Sequence, residues 1–174
     1  AKELKPSLKE LKKFPIKFVL GRHRKKDIVN SDLILRNPAV PWNSPFLKLA
    51  RKHKIPIEMD EALFAKYTPV KIIGITGTRG KSTVTTLIYQ ILKAAGFPVW
   101  LAGNIKGKAA LPLLANINRD DWVVMELSSW QLQAFKEAKI SPHISIVTNI
   151  YEDHLNRYHS MKDYFWNNGF LCYK

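Results

Sequence analysis

Apolar residues recur along this chain in two rhythms, short runs of four to six and one longer stripe at helical spacing, and their order predicts most of its organisation. Ser7-Leu8-Lys9-Glu10 has the spacing of a capping box with Pro6 before it, which predicts a short helix to about Lys13. The runs "IKFVL" (16–20) and "DLILR" (32–36), each bounded by charged or turn residues, predict strands. Ser44-Pro45 offers an N-cap followed by proline at the first helical position and opens a helix through "FLKLARKH". A strand at "IPIEM" and a helix at "DEALFAKY" follow. This alternation predicts an α/β layer, but one without a glycine-rich strand-to-helix turn.

Tyr67-Thr68-Pro69 predicts a boundary, because the residue before proline resists helix and a second α/β series begins there. "VKIIGIT" reads as a buried strand, and "STVTTLIYQILKAAG" carries apolar residues at 84, 87, 88, 91, 92 and 95 before Gly96 ends the stripe. "VWLA", "WVVMEL" and "HISIVTNI" predict further strands, with a helical segment at "AALPLLANI". Repeated β-α-β units imply a parallel sheet covered on both faces. The expected fold class is therefore α/β: a partial Rossmann-like unit over residues 1–67, then a P-loop parallel-sheet unit over residues 68–174, itself incomplete.

Composition changes this picture only at the margins. The 174-residue chain carries a formal charge of +14, yet ten of its cations lie between Ala1 and Lys26 against two glutamates. That concentration reads as a solvated helix face plus a basic loop at His23-Arg24-Lys25-Lys26, and no Phe, Tyr or Trp is interleaved in that loop for base stacking. Nucleic acid is not an expected partner. No window approaches a bilayer-spanning apolar run, and the N-terminal residues have no signal-peptide character, so a cytoplasmic location without membrane insertion is expected. The single Cys172 forms no internal disulfide and has no neighbours at zinc spacing.

The chemistry concentrates in "GITGTRGKST", residues 74–83. It misses the usual P-loop spacing by one residue, since Ile75 stands where the first glycine would fall. A strand ending in Thr76-Gly77-Thr78-Arg79-Gly80 and entering a helix at Lys81 nevertheless directs free N–H groups and a positive helix end toward an anion. Lys81 can neutralise the β- and γ-phosphates, and the Ser82 hydroxyl, followed by Thr83, is placed to ligate Mg²⁺. ATP or GTP is the expected ligand. "VVMELSSWQL" ends an apolar strand in Glu126, just before Ser128 and Ser129, and a parallel sheet would gather that carboxylate beside the loop. "TNIYEDHLNRY" ends the next strand. There His154 reads either as a polar loop residue or, beside Asp153, as a ligand of a second divalent ion.

Together, Thr-Gly-Thr-x-Gly-Lys-Ser-Thr, "GNI" (103–105), "ELSSWQL" (126–132) and "NIYEDHLNRY" (149–158) resemble the Mur ligase family, in its D-glutamate-adding branch. The phosphate loop of that family has the spacing found here, which accounts for Ile75. The likeness runs from about Lys5 to the end and is strongest from Val70 to Tyr158. It implies a cytoplasmic enzyme of peptidoglycan precursor synthesis, acting as a monomer on UDP-N-acetylmuramoyl-L-alanine and D-glutamate with ATP and Mg²⁺. It also implies site roles: Lys81, Glu126 and His154 catalytic, Ser82 and Glu126 on one Mg²⁺, and His154 on a second, with Asn149 and Asp153 shaping that site. Asn104, Ser128 and Ser129 would face the muramoyl substrate.

Three positions depart from that pattern: Arg79 stands where the family usually has Asn, Lys106 where a Gly commonly follows Asn-Ile, and Asn168 where it has a carbamylated Lys bridging the second metal. The resemblance further implies a fragment, without the first strand and glycine loop of a first domain, part of the central domain and a third domain. Weak nucleotide binding at most and no amide formation are expected of it alone. Alternatives are a folylpolyglutamate or poly-γ-glutamate type of ligase, kept open by Arg79, a nucleic-acid-stimulated P-loop ATPase, and a noncatalytic remnant.

Overall fold

The computed structural model describes residues 5–151, with side chains from residue 8 onward. In chain order these form α1 (Lys5–Leu11), α2 (Lys25–Val29), β1 (Ile34–Leu35), α3 (Pro45–Lys52), β2 (Ile57–Glu58), α4 (Asp60–Tyr67), β3 (Lys71–Thr76), α5 (Lys81–Ala94), β4 (Val99–Gly103), a 3₁₀ turn (Leu111–Ala115), β5 (Trp122–Glu126), α6 (Ser129–Ala138) and β6 (Ile144–Val147). β1 and β2 pair in parallel, and the other four strands form one parallel sheet in the order β4-β5-β3-β6.

Both faces of the two central strands, β3 and β5, are buried, which is why they are apolar at successive positions instead of alternate ones. Ile72, Val123 and Met125 face a core completed by Met59, Ala62 and Phe64 from the α4 region and Leu132, Ala134 and Phe135 from α6. Ile73, Ile75 and Val124 face the other way, against Val84, Ile88 and Leu92 of α5. Phe64 and Phe135 are fully buried, each contributing about 1.5–3 kcal/mol of hydrophobic stabilisation. α4, which precedes the expected boundary at residues 67/68, thus packs into the core of the sheet that follows it.

Several local expectations are corrected. Residues 16–20 form no strand: Ile16 and Leu20 are exposed and no neighbouring backbone pairs with the run, so β propensity alone does not make it a strand. The basic segment expected as a loop forms α2 from Lys25, and Arg24 closes on Asp27 one turn later. α1 starts at Lys5, ahead of Ser7, so Ser7 is not its N-cap. "AALPLLANI" yields only the 3₁₀ turn. On α5 the apolar stripe is wider than its packed face, because Leu87 and Ile91 remain exposed. Among the described residues no helix is long and apolar enough to cross a membrane.

Candidate active site

A parallel sheet delivers the carboxyl ends of all its strands to one rim, and the residues with chemistry converge there. β3 ends at Thr76, the loop runs through Gly77, Thr78, Arg79 and Gly80, and α5 begins at Lys81 with Gly80 as its N-cap. The first-turn N–H groups of a helix have no intrahelical acceptors, and α5 has no acidic residue in that turn to occupy its positive end. Arg79, Ser82 and Thr83 are exposed around it, while Thr76 is buried. The Lys81 ammonium folds back over the loop, donating to the carbonyls of Gly77 at 2.7 Å and Thr78 at 3.0 Å. Its charge is therefore held at the mouth of the loop. The buried Thr85 hydroxyl donates to the Lys81 carbonyl at 2.7 Å and ties the first turn down.

Glu126 ends β5 directly beside this loop, in register with Ile75 of β3 on one side and Gly103 of β4 on the other. It is only 2% exposed. Its Oε1 accepts from Asn104 Nδ2 at 3.0 Å, and its Oε2 is buried with no hydrogen-bond partner among the described residues. A buried oxygen left so is costly unless something outside the protein completes it. The close packing at this point depends on Gly103, whose φ is +98 and where a Cβ would run into the Glu126 backbone.

Ser128 and Ser129 sit at the start of α6, with different surroundings. The Ser128 hydroxyl is engaged in a capping box, donating to Gln131 Oε1 at 2.8 Å and accepting from Gln131 N–H at 3.3 Å. Ser129 is buried at the first helical position. Asn149 lies on the loop: its side chain bonds the Arg79 backbone at 2.9 and 3.0 Å. Asp153, His154 and Asn168 lie outside the described residues.

Two residues of this rim escaped the sequence reading. Asp60 accepts from the N–H groups of Ala110 and Leu111 at 3.1 and 3.3 Å, holding the chain that follows Asn104. Glu61 accepts from Gln131 Nε2 at 2.5 Å and so braces the start of α6. Burial pushes the Glu61 carboxyl above its ordinary value, a shift that its own backbone N–H and Gln131 oppose and Asp60 reinforces. Acids in the first turn of α4 would pass for ordinary helix-start residues, which is how both stay hidden in the sequence.

The arrangement suits a polyphosphate with a hard divalent ion. Loop amides, the end of α5, Lys81 and Arg79 supply positive potential, and the unpartnered Glu126 oxygen near the Ser82 turn supplies oxygen donors of the kind Mg²⁺ accepts. No set of three or more His, Cys, Asp or Glu residues at metal distance occurs among the described residues, so a protein-only cage is not what the described rim offers.

Comparison with known proteins agrees with this chemistry. Residues 75–171 match the Mur ligase middle domain. The chain is 41% identical over 162 residues to the UDP-N-acetylmuramoylalanine--D-glutamate ligase of Roseiflexus sp. (strain RS-1), covering 93% of this chain and 34% of that protein. It is 40% identical over 164 residues to the enzyme of the same name from Borreliella burgdorferi (strain ZS7), covering 93% and 35%. The chain thus spans about a third of the length of the curated relatives it matches. A solved UDP-N-acetylmuramoyl-L-alanyl-D-glutamate--2,6-diaminopimelate ligase shares the fold at a TM-score of 0.50 and 15% identity, over 92% of this chain and 44% of that one.

Proposed function

Because this chain belongs to the Mur ligase family, we propose that it supplies the phosphate-gripping rim of an ATP-dependent ligase joining D-glutamate to UDP-N-acetylmuramoyl-L-alanine. The observation that carries the reading is the meeting of two features at one sheet edge: a glycine loop opening α5, and a buried carboxylate, Glu126, with one oxygen unpartnered in register with Ile75. The activity named for the two relatives supports the choice of substrates.

In the proposed reaction the terminal carboxylate oxygen of UDP-N-acetylmuramoyl-L-alanine attacks the γ-phosphorus of ATP and ADP leaves. The amine of D-glutamate then attacks the acyl carbon, loses its proton, and phosphate departs as the amide forms. Each species near the transferred group is anionic, so positioning and charge neutralisation dominate the barrier. The α5 amides orient the β- and γ-phosphates, and Lys81 leaves the Gly77 and Thr78 carbonyls to follow the charge that develops between them. Ser82 and Glu126 would hold the Mg²⁺, which neutralises phosphate charge when bound. Asn104 tethers the Glu126 carboxylate from the next strand end and, with Ser129, would border the muramoyl substrate. Ser128 would serve that border through its helix cap instead of through a free hydroxyl. His154 would hold a second Mg²⁺. Residues 1–67 would contribute to the nucleotide-sugar side, and the site would work in the cytoplasm as a monomer.

The test is nucleotide binding followed by calorimetry. Lys81→Ala should weaken ATP–Mg²⁺ binding at least 100-fold while leaving the thermal midpoint of the apo protein within about 2 °C, the scale of a small surface change. Unchanged affinity in that variant would remove the loop from the reading. In the whole protein that contains this chain, ADP release should require both UDP-N-acetylmuramoyl-L-alanine and D-glutamate; release stimulated instead by a folate would redirect the substrate assignment.

A further inference from the structure

The phosphate loop is not held by β3 and α5 alone. β6 lies beside β3, with Thr76 in register with Val147, so the residues after β6 run past the sheet edge alongside the loop. There the peptide of Arg79 is gripped from both sides: its N–H donates to Asn149 Oδ1 at 2.9 Å, and its carbonyl accepts from Asn149 Nδ2 at 3.0 Å and from the Thr148 hydroxyl at 2.7 Å. Two further bonds extend the seam, Thr78 N–H to the Asn149 carbonyl at 2.9 Å and Tyr151 N–H to the Thr78 side-chain hydroxyl at 2.9 Å. Gly77 makes the approach possible: a Cβ there would overlap the Thr148 hydroxyl and sit 2.8 Å from the Asn149 carbonyl.

We propose that Thr148 and Asn149 are positioning residues that set the shape of the phosphate loop. The proposal rests on the reading of that loop as a nucleotide cradle. The seam divides the loop into two halves. The N–H groups of Thr78 and Arg79 are turned toward β6 and satisfied there, and those at the start of α5 are left for an anion. A carboxamide accepts from the N–H and donates to the carbonyl of the same residue at once, so Asp at 149 keeps half the grip and Ala keeps none. The seam also registers the chain leading out of β6 on the loop, through Tyr151 and Thr78, so the two segments move as one piece.

The experiment compares the parent chain with Asn149→Ala, Asn149→Asp, Thr148→Val and Thr148→Ser, reading two signals for each. The first is amide hydrogen exchange at Thr78 and Arg79 without nucleotide; the second is the dissociation constant for ATP with Mg²⁺. Asn149→Ala should speed Arg79 exchange at least tenfold and weaken ATP about tenfold, with amides of β3 and α5 keeping their protection. Asn149→Asp should keep Arg79 protected, yet weaken ATP more than Ala does, since it loses the donor and adds a negative charge beside the phosphates. Thr148→Val should weaken ATP, and Thr148→Ser, which retains the hydroxyl, should restore it; this pair stands even where the Asn149 variants fold poorly. Arg79 exchange unchanged in Asn149→Ala would overturn the brace, and faster exchange with unaltered ATP affinity would overturn its positioning role. Absence of nucleotide binding in the whole protein that contains this chain sinks the ligase reading and this proposal with it, whereas a failed brace shows in the exchange data alone.

Discussion

The sheet of β3 to β6 and the pair β1–β2 draw on the same residue types, yet one closes on itself and the other does not. In the larger sheet Ile72, Ile75, Val123, Val124 and Met125 are all buried, because helices cover both faces. In and beside the strand pair Leu33 and Leu35 stay exposed, as do Phe14, Ile16 and Leu20 earlier in the chain. Two strands of two residues each offer too little surface to bury. What order the region has comes from its attachments: Leu47 and Ala50 of α3 are buried, and the buried Arg36 reaches Val40, Pro38 and, across to α6, Gln133. Coverage on two sides, more than apolar content, decides which strands hold.

This contrast can be broken first where the expected loss is greatest. Phe64→Ala should cost about 3–5 kcal/mol in a urea titration, whereas Leu35→Ala, at a half-exposed position, should stay within about 0.5 kcal/mol. Equal losses at the two sites would show that the strand pair has a core of its own. Gly103→Ala should come next, at about 1–3 kcal/mol, since it combines a positive φ with overlap on the Glu126 backbone. Its melting curve should drop together with Mg²⁺-dependent nucleotide affinity, and loss of stability with intact affinity would separate Gly103 from the site.

The smallest effect should appear as a pH slope. The Glu61 carboxyl, with an ordinary value of 4.5, is raised by burial, so on acidification the folded chain takes up its proton before the unfolded chain does. Its contribution to stability is therefore complete below the unfolded value and is lost as pH rises through the higher folded value. Glu61→Gln removes this proton, and the variant should gain on the parent in urea midpoint between pH 4 and pH 7; a constant gap over that range would contradict the burial argument.

Local pattern carried the placement of the glycine loop and Glu126 at one sheet edge, because each is announced within a few residues by a strand that ends before a helix. The four strands of the sheet were legible for the same reason. The run 16–20 looked equally strand-like, but strand formation needs a partner that the local pattern does not contain. Asp60, Glu61 and Asn149 were harder, since their bonds reach Ala110, Gln131 and Arg79, 50, 70 and 70 residues away. Resemblance placed Asn149 near a second metal, whose other expected residues lie outside the described ones; what the structure adds is its bond to the loop backbone. Such contacts are set by which strand lies beside which, and become readable only when the order β4-β5-β3-β6 is known.

That order has a practical side. Since all four strands point the same way, the far end of the sheet, where Phe97-Pro98, Arg119-Asp120 and Ser141-Pro142 lead into β4, β5 and β6, carries none of the candidate residues among those described. Arg119 is exposed there. A dye or affinity handle attached at that point would report on the molecule from its quiet end, leaving the busy one free to be watched.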